Sequence, residues 1–141
     1  MLNTSFSLEG ANNSSLHSGS GDNMERAVLV GLETAAPSAW NIEDSIGELA
    51  HLTETAGAAV VATVIQKKGK PDPAYYVGEG KAREIEMVRS ATEANLVIFD
   101  DELTPAQQRN LEEIIEGRII DRTELILDIF AQRAATSEGK L

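Results

Sequence analysis

A chain of 141 residues, 42% hydrophobic and 25% charged, suits a single globular domain with one core. Twelve Lys and Arg against 23 Asp and Glu give a net charge of -11, which opposes any function resting on broad attraction to phosphate backbones, so a nucleic-acid role needs a local basic patch. The absence of Cys excludes disulfides, thiolate zinc sites and Cys nucleophiles, and two His leave little for metal or proton-transfer chemistry. No apolar run approaches the roughly 18 to 20 residues of a membrane span, and the N-terminus lacks the basic and apolar regions of a secretion signal. A cytoplasmic location with no membrane partner is therefore expected.

Residues 1–23 are rich in Ser, Asn and Gly and hold only Leu2, Phe6, Leu8 and Leu16 as sizeable apolar groups, so they read as a disordered leader. Ala27 to Leu32 is a continuous apolar run, as expected of a strand covered on both faces in a parallel sheet. Asn41 with Asp44 resembles a capping box, and Ile42, Ile46, Leu49 and Ala50 follow at helical spacing until Gly57, which predicts a helix over about 42–56. Trp40 just ahead of that cap is placed to staple it. The β-branched run within Ala58 to Ile65 predicts a buried strand, followed by a basic loop punctuated by Pro71 and Pro73.

Tyr75 to Val77 reads as a short extended piece. Gly78 and Gly80 then introduce a helix with Ala82, Ile85, Val88 and Ala91 inward, and Leu96 to Phe99 is a third strand. Thr104, Pro105 and Gln107 supply an N-cap, a first-turn proline and a capping-box partner. The helix they start carries Leu111, Ile114 and Ile115 and ends at Gly117. Ile119 and Ile120 form a short fourth strand within 118–122, followed by a helix carrying Leu125, Ile126, Ile129 and Phe130. The β-α-β-α-β-α-β-α order predicts an α/β fold with an about four-stranded, mainly parallel sheet and helices on both faces.

Residues 67–91 are the one net-positive stretch, and within it Lys67, Lys68, Lys70, Lys81 and Arg83 are the candidates for contact with the phosphates of a polyanion. Gly78-Glu79-Gly80-Lys81-Ala82 brings a phosphate loop to mind, but the G-x-x-x-x-G-K-[ST] spacing fails, and Ala82 stands where a magnesium-binding hydroxyl is needed. Asp100, Asp101 and Glu102 follow the third strand and Asp121 and Arg122 the fourth. These are the carboxyl ends where open α/β sheets bind ligands. The acidic rim could hold a hard cation, but Asp and Thr are ordinary helix caps and Arg109, Arg118 and Arg122 are at hand to neutralise it, which is the stronger reading. His17 in the leader and His51 in the first helix have no nucleophile or ligand partner at useful spacing.

Several of these segments together carry a family resemblance. Thr55 to Val61, Tyr76-Val77-Gly78-Glu79-Gly80-Lys81, Phe99 to Glu112 and, most specifically, Asp121-Arg122-Thr123-Glu124-Leu125-Ile126-Leu127-Asp128-Ile129-Phe130-Ala131-Gln132-Arg133-Ala134 resemble the N-terminal domain of HflX-type GTPases over about residues 26–141. The resemblance implies a ribosome-associated GTPase that engages the large ribosomal subunit and splits or rescues stalled ribosomes. It places a helical hairpin and then the GTP-binding domain beyond Leu141, with GTP and magnesium belonging there and no cofactor expected in this segment. With the leader over 1–23 read from composition alone, the resemblance gives an α/β domain over 24–135 and the start of a connection over 136–141.

Two readings stand side by side. One is a non-catalytic regulatory and ribosome-docking module, partnered by the hairpin, the GTPase domain and the large subunit, without strong nucleic-acid binding of its own. The other is an autonomous small-ligand or nucleotide-binding domain using the acidic strand-end crevice. A crevice filled by Arg side chains paired to Asp100, Asp101 and Asp121 favours the first.

Overall fold

The computed structural model describes residues 24–34 and 41–140, with side chains through 133; the leader, Trp40 and His17 lie outside the described residues. Four strands, β1 (Glu25–Glu33), β2 (Ala58–Lys67), β3 (Leu96–Phe99) and β4 (Arg118–Asp121), alternate with four helices, α1 (Ile42–Thr55), α2 (Glu79–Thr92), α3 (Pro105–Ile114) and α4 (Arg122–Lys140). Every pairing is parallel and the sheet order is β2-β1-β3-β4. The chain is thus an all-parallel α/β fold.

The central strand β1 is buried from Ala27 to Leu32, which is why that run carries no alternation. Its alternate residues feed two cores. Val28 and Val30 join Val97, Phe99, Ile85 and Leu111 on the face covered by α2 and α3. Ala27 and Leu29 join Ile46, Leu49, Ile98 and Leu125 on the face covered by α1 and α4. Each fully buried Val, Leu or Ile contributes about 1.5–3 kcal/mol. At Gly31 a Cβ would lie 2.8 Å from Ile46 Cδ1, so α1 rests directly on the β1 backbone there.

Caps set the helix limits. The Asn41 side chain accepts from the Asp44 amide at 2.8 Å, and Gly57, at φ +99°, turns the chain out of α1 in a conformation that favours glycine. At α3 the capping box is complete: Thr104 Oγ1 accepts from Gln107 N at 3.0 Å and Gln107 Oε1 accepts from Thr104 N at 2.9 Å.

Five details depart from the sequence expectation. Lys67 is the last residue of β2 rather than part of a loop, because Glu33 of β1 pairs with it. Ala91 is exposed and Thr92 is the buried residue, its hydroxyl satisfied by Val88 O. Phe130 is 62% exposed, because α4 turns only Leu125 and Ile129 fully inward. Tyr75 to Val77 is not a strand but a tight turn closed by an isolated bridge between Asp72 and Tyr76. Gly117 does not end α3, which stops at Ile114; it is a point of close approach, where a Cβ would meet Arg89 Cδ at 2.8 Å.

Candidate functional site

In a parallel sheet all carboxyl ends lie along one edge, and strand order reverses between β1 and β3: β1 leads to α1 on one face, β3 to α3 on the other. That pair of strands forms the position where such folds place ligands. Asp100 sits there, its amide donating to Val30 O at 2.9 Å and its side chain buried.

The crevice is filled. Arg122, the first residue of α4, donates from Nη2 to Asp100 Oδ1 at 2.7 Å and from Nε to the same oxygen at 3.1 Å. Its Nη2 also reaches Ser45 O at 3.0 Å and its Nη1 reaches Glu48 Oε1 at 2.9 Å, which ties α4 to α1. The Ser45 hydroxyl donates to the other oxygen, Asp100 Oδ2, at 2.6 Å. Burial pushes the Asp100 carboxyl above the ordinary carboxylate range, against the opposing pull of Ser45 and Arg122. For Arg122 burial is the largest single influence and lowers its value, but the bonds to Asp100 and Glu48 together more than reverse it.

The other rim carboxylates are spent on structure. Asp121 accepts from Leu103 N and from Glu124 N, both at 2.9 Å, so it fixes the loop before α3 and caps α4. Asp101 accepts from the Tyr76 hydroxyl. Glu102 and Arg109 are exposed, and Arg118 lies 3.6 Å from both Glu124 and Asp128. Among the described residues no three His, Asp or Glu side chains converge to hold a metal ion. Arg122 therefore pairs with Asp100 alone among the three rim aspartates.

The basic candidates divide. Lys81 forms an ion pair with Glu84 at 3.0 Å, its side chain only 9% exposed, and Arg83 pairs with Glu79 at 2.9 Å. The Gly78 amide donates to Gln66 Oε1 at 3.0 Å, and Ala82 is buried. With the amide and the lysine so engaged and no hydroxyl at position 82, these residues do not fit a nucleoside triphosphate and its magnesium. Lys67, Lys68 and Lys70 stand apart at the end of β2, where Glu33, Thr34, Lys67, Lys68 and Gly69 line an open recess of about 360 Å3.

Sequence reasoning missed the segment that carries these lysines into α2. Tyr76 is buried at φ 69°, a rare conformation for an aromatic residue, and the Val77 amide donates to Tyr75 O at 2.7 Å across it, which makes a strained γ-turn. Its ring meets Phe99 edge-on, centroids 5.8 Å apart. Burial, then the bond to Asp101 and its charge, push the phenol above its ordinary value, so it remains a donor. From α3, Gln107 Nε2 donates to Asp72 O at 2.8 Å and Asn110 Nδ2 to Ala74 O at 2.9 Å. The sequence signal was the pair of side-chain amides one turn apart on α3.

A family model described as GTP-binding GTPase N-terminal matches residues 43–131. The chain belongs to that family. It is an HflX-type member: GTPase HflX of Flavobacterium psychrophilum is 45% identical over 118 residues, covering 84% of this chain and 29% of the relative. GTPase HflX of Escherichia coli K12 is 49% identical over 117 residues, covering 83% of this chain and 27% of the relative. The chain thus spans less than a third of the length of these curated relatives. A crystal structure of an SsGBP variant, G235P, superposes with a TM-score of 0.56 at 22% identity, over 77% of this chain and 32% of that one, which shows a shared fold. Among the described residues no helix is long and apolar enough to cross a membrane.

Proposed function

We propose that this HflX-type N-terminal domain is a non-catalytic regulatory and docking module, which positions a GTPase domain and helical hairpin on the large ribosomal subunit in the cytoplasm during splitting or rescue. The observation that carries this reading is the Arg122 side chain, which occupies the strand-end crevice and bonds to Asp100, Ser45 and Glu48. A sheet whose ligand position is filled by its own ion network is suited to scaffolding. The names of the relatives support a GTPase as the whole protein, with GTP and magnesium held outside this segment.

The surface suited to meet RNA is the end of β2, where Lys67, Lys68 and Lys70 concentrate positive charge in a chain of net charge -11. Each lysine can neutralise one phosphate without reading a base. The test is binding of the full-length protein to purified large subunits at two salt concentrations. Affinity that falls with salt supports docking through these lysines, and salt-independent affinity rejects it.

A further inference from the structure

The lysine segment is held at both ends. At one end Lys67 closes β2, and the Lys68 amide donates to Glu33 O at 2.9 Å. At the other end Asp72 and Tyr76 exchange backbone hydrogen bonds at 3.0 and 2.8 Å, and the Asp72 carboxylate accepts from the Ala74 and Tyr75 amides at 2.7 and 3.0 Å. Between these anchors lie only 69–71, so the placement of Lys70 follows from how Asp72 to Tyr76 is fixed.

That fixing converges on Tyr76. A positive φ at a bulky residue costs on the order of 1–3 kcal/mol and persists only where the surroundings over-determine it. Here they are the Phe99 ring on one side, the Asp101 carboxylate at the hydroxyl, and Gln107 and Asn110 of α3, which hold Asp72 O and Ala74 O. Asp101 is exposed, and packing alone does not require a carboxylate there. Its neighbour Asp100 is locked to α1 and α4, so the backbone that presents Asp101 is rigid. A binding group held in its bound position loses less freedom on association, and that saving appears as affinity.

We propose that Tyr76 and Asp101 form a clasp that positions Lys68 and Lys70 for a polyanion of regularly spaced phosphates, the rRNA backbone of the docking reading on which this inference rests. Tyr76 and Asp101 are positioning residues, since neither needs to touch the partner. Releasing the hydroxyl lets the strained turn relax toward negative φ and swing the lysines away from a common approach.

The experiment uses the full-length protein with purified large ribosomal subunits, comparing Tyr76→Phe, Asp101→Ala, Asp101→Asn and the charge-reversed Lys67→Glu, Lys68→Glu, Lys70→Glu triple variant. Subunit affinity is read at two salt concentrations, alongside amide exchange over 72–78. Tyr76→Phe and Asp101→Ala are expected to speed exchange in that segment and weaken subunit affinity by about threefold to tenfold, the range for losing one positioning hydrogen bond. Asp101→Asn keeps an acceptor for the hydroxyl, and its affinity and exchange are expected to stay near wild type. If Tyr76→Phe misfolds, exposed Asp101→Ala carries the test. Unchanged exchange in Asp101→Ala, faster exchange with unchanged affinity while the lysine variant binds poorly, or an Asp101→Asn variant as weak as Asp101→Ala, would overturn the clasp. A lysine triple variant with wild-type affinity would overturn the docking reading itself, and with it the polyanion the clasp serves.

Discussion

Replacing Arg122 by Met removes the cation that fills the strand-end crevice while keeping an unbranched apolar stem. Asp100 is 5% exposed and Arg122 22%. Removing one partner of a buried pair costs about 3–5 kcal/mol, because the remaining charge is stranded. Ser45 still donates to Asp100, and the bond to exposed Glu48 adds little, so the expected loss at pH 7 lies at or below the lower end, about 2–3 kcal/mol. In a domain of this size that lowers Tm by roughly 10 °C or more. The pH dependence has a definite sign. Asp100 already sits above the ordinary carboxylate range, and losing a group that lowers it raises it further. A carboxyl with a raised folded-state value favours the native state fully below its unfolded value, about 3.9, and that contribution is lost as pH rises through the folded value. The variant's deficit should therefore be greatest near neutrality and shrink as the pH falls toward about 4. Adding Asp100→Asn to Arg122→Met removes the stranded charge and should recover stability at pH 7. Thermal and denaturant unfolding across pH 4–7 measures all of this. A loss under about 0.5 kcal/mol, or a deficit flat in pH, would mean that Arg122 does not neutralise a buried Asp100 carboxylate.

At the start of α3, Thr104→Ala should cost about 1 kcal/mol in denaturant unfolding, and Gln107→Ala about 2 kcal/mol because it also releases Asp72 O; equal costs would mean that the bond to the turn adds nothing. The Arg89 guanidinium holds the Glu86 carboxyl below its ordinary range, helped by the Glu116 amide and opposed by burial. This contribution is present above the unfolded value and is lost as pH falls through the folded one, so Glu86→Gln should lower Tm at pH 7 and converge with wild type at low pH; a gap as wide at pH 3 as at pH 7 would contradict it. Gly117→Ala should cost about 1–2 kcal/mol, since its Cβ would lie 2.8 Å from Arg89 Cδ and Arg89 is pinned to Glu86 and Ala94 O; an unchanged unfolding midpoint would show that Arg89 yields freely.

The elements were legible where one local rule decided them. Ala27 to Leu32 could only be a doubly covered strand, and the Thr104, Pro105 and Gln107 cluster fixed the start of α3 to the residue. What escaped depended on distant partners. Lys67 belongs to β2 because Glu33 extends far enough to pair with it. Nothing near Tyr76 announces a positive φ: aromatic residues favour strands, and the ring, the hydroxyl and the turn are fixed by Phe99, Asp101 and α3. In the site, Arg122 was legible as a neutralising cation, but its choice of Asp100 over Asp121 was not. That choice follows from Ser45, 77 residues away in sequence, and from Asp121 being occupied by the amides of Leu103 and Glu124. Phe130 was read inward because four apolar residues in α4 looked like one stripe, yet the helix presents Leu127 and Phe130 outward.

Docking through the end of β2 is tested most directly by the salt dependence of binding to large ribosomal subunits. The full-length protein should bind with an affinity that falls as salt rises. The Lys67→Glu, Lys68→Glu, Lys70→Glu variant should bind more weakly, with a log-log salt slope shallower by about 2 to 3, the counterions released at three phosphates. Its Tm should match wild type, since no core residue changes. An unchanged affinity and slope in a folded variant would rule out docking through these lysines.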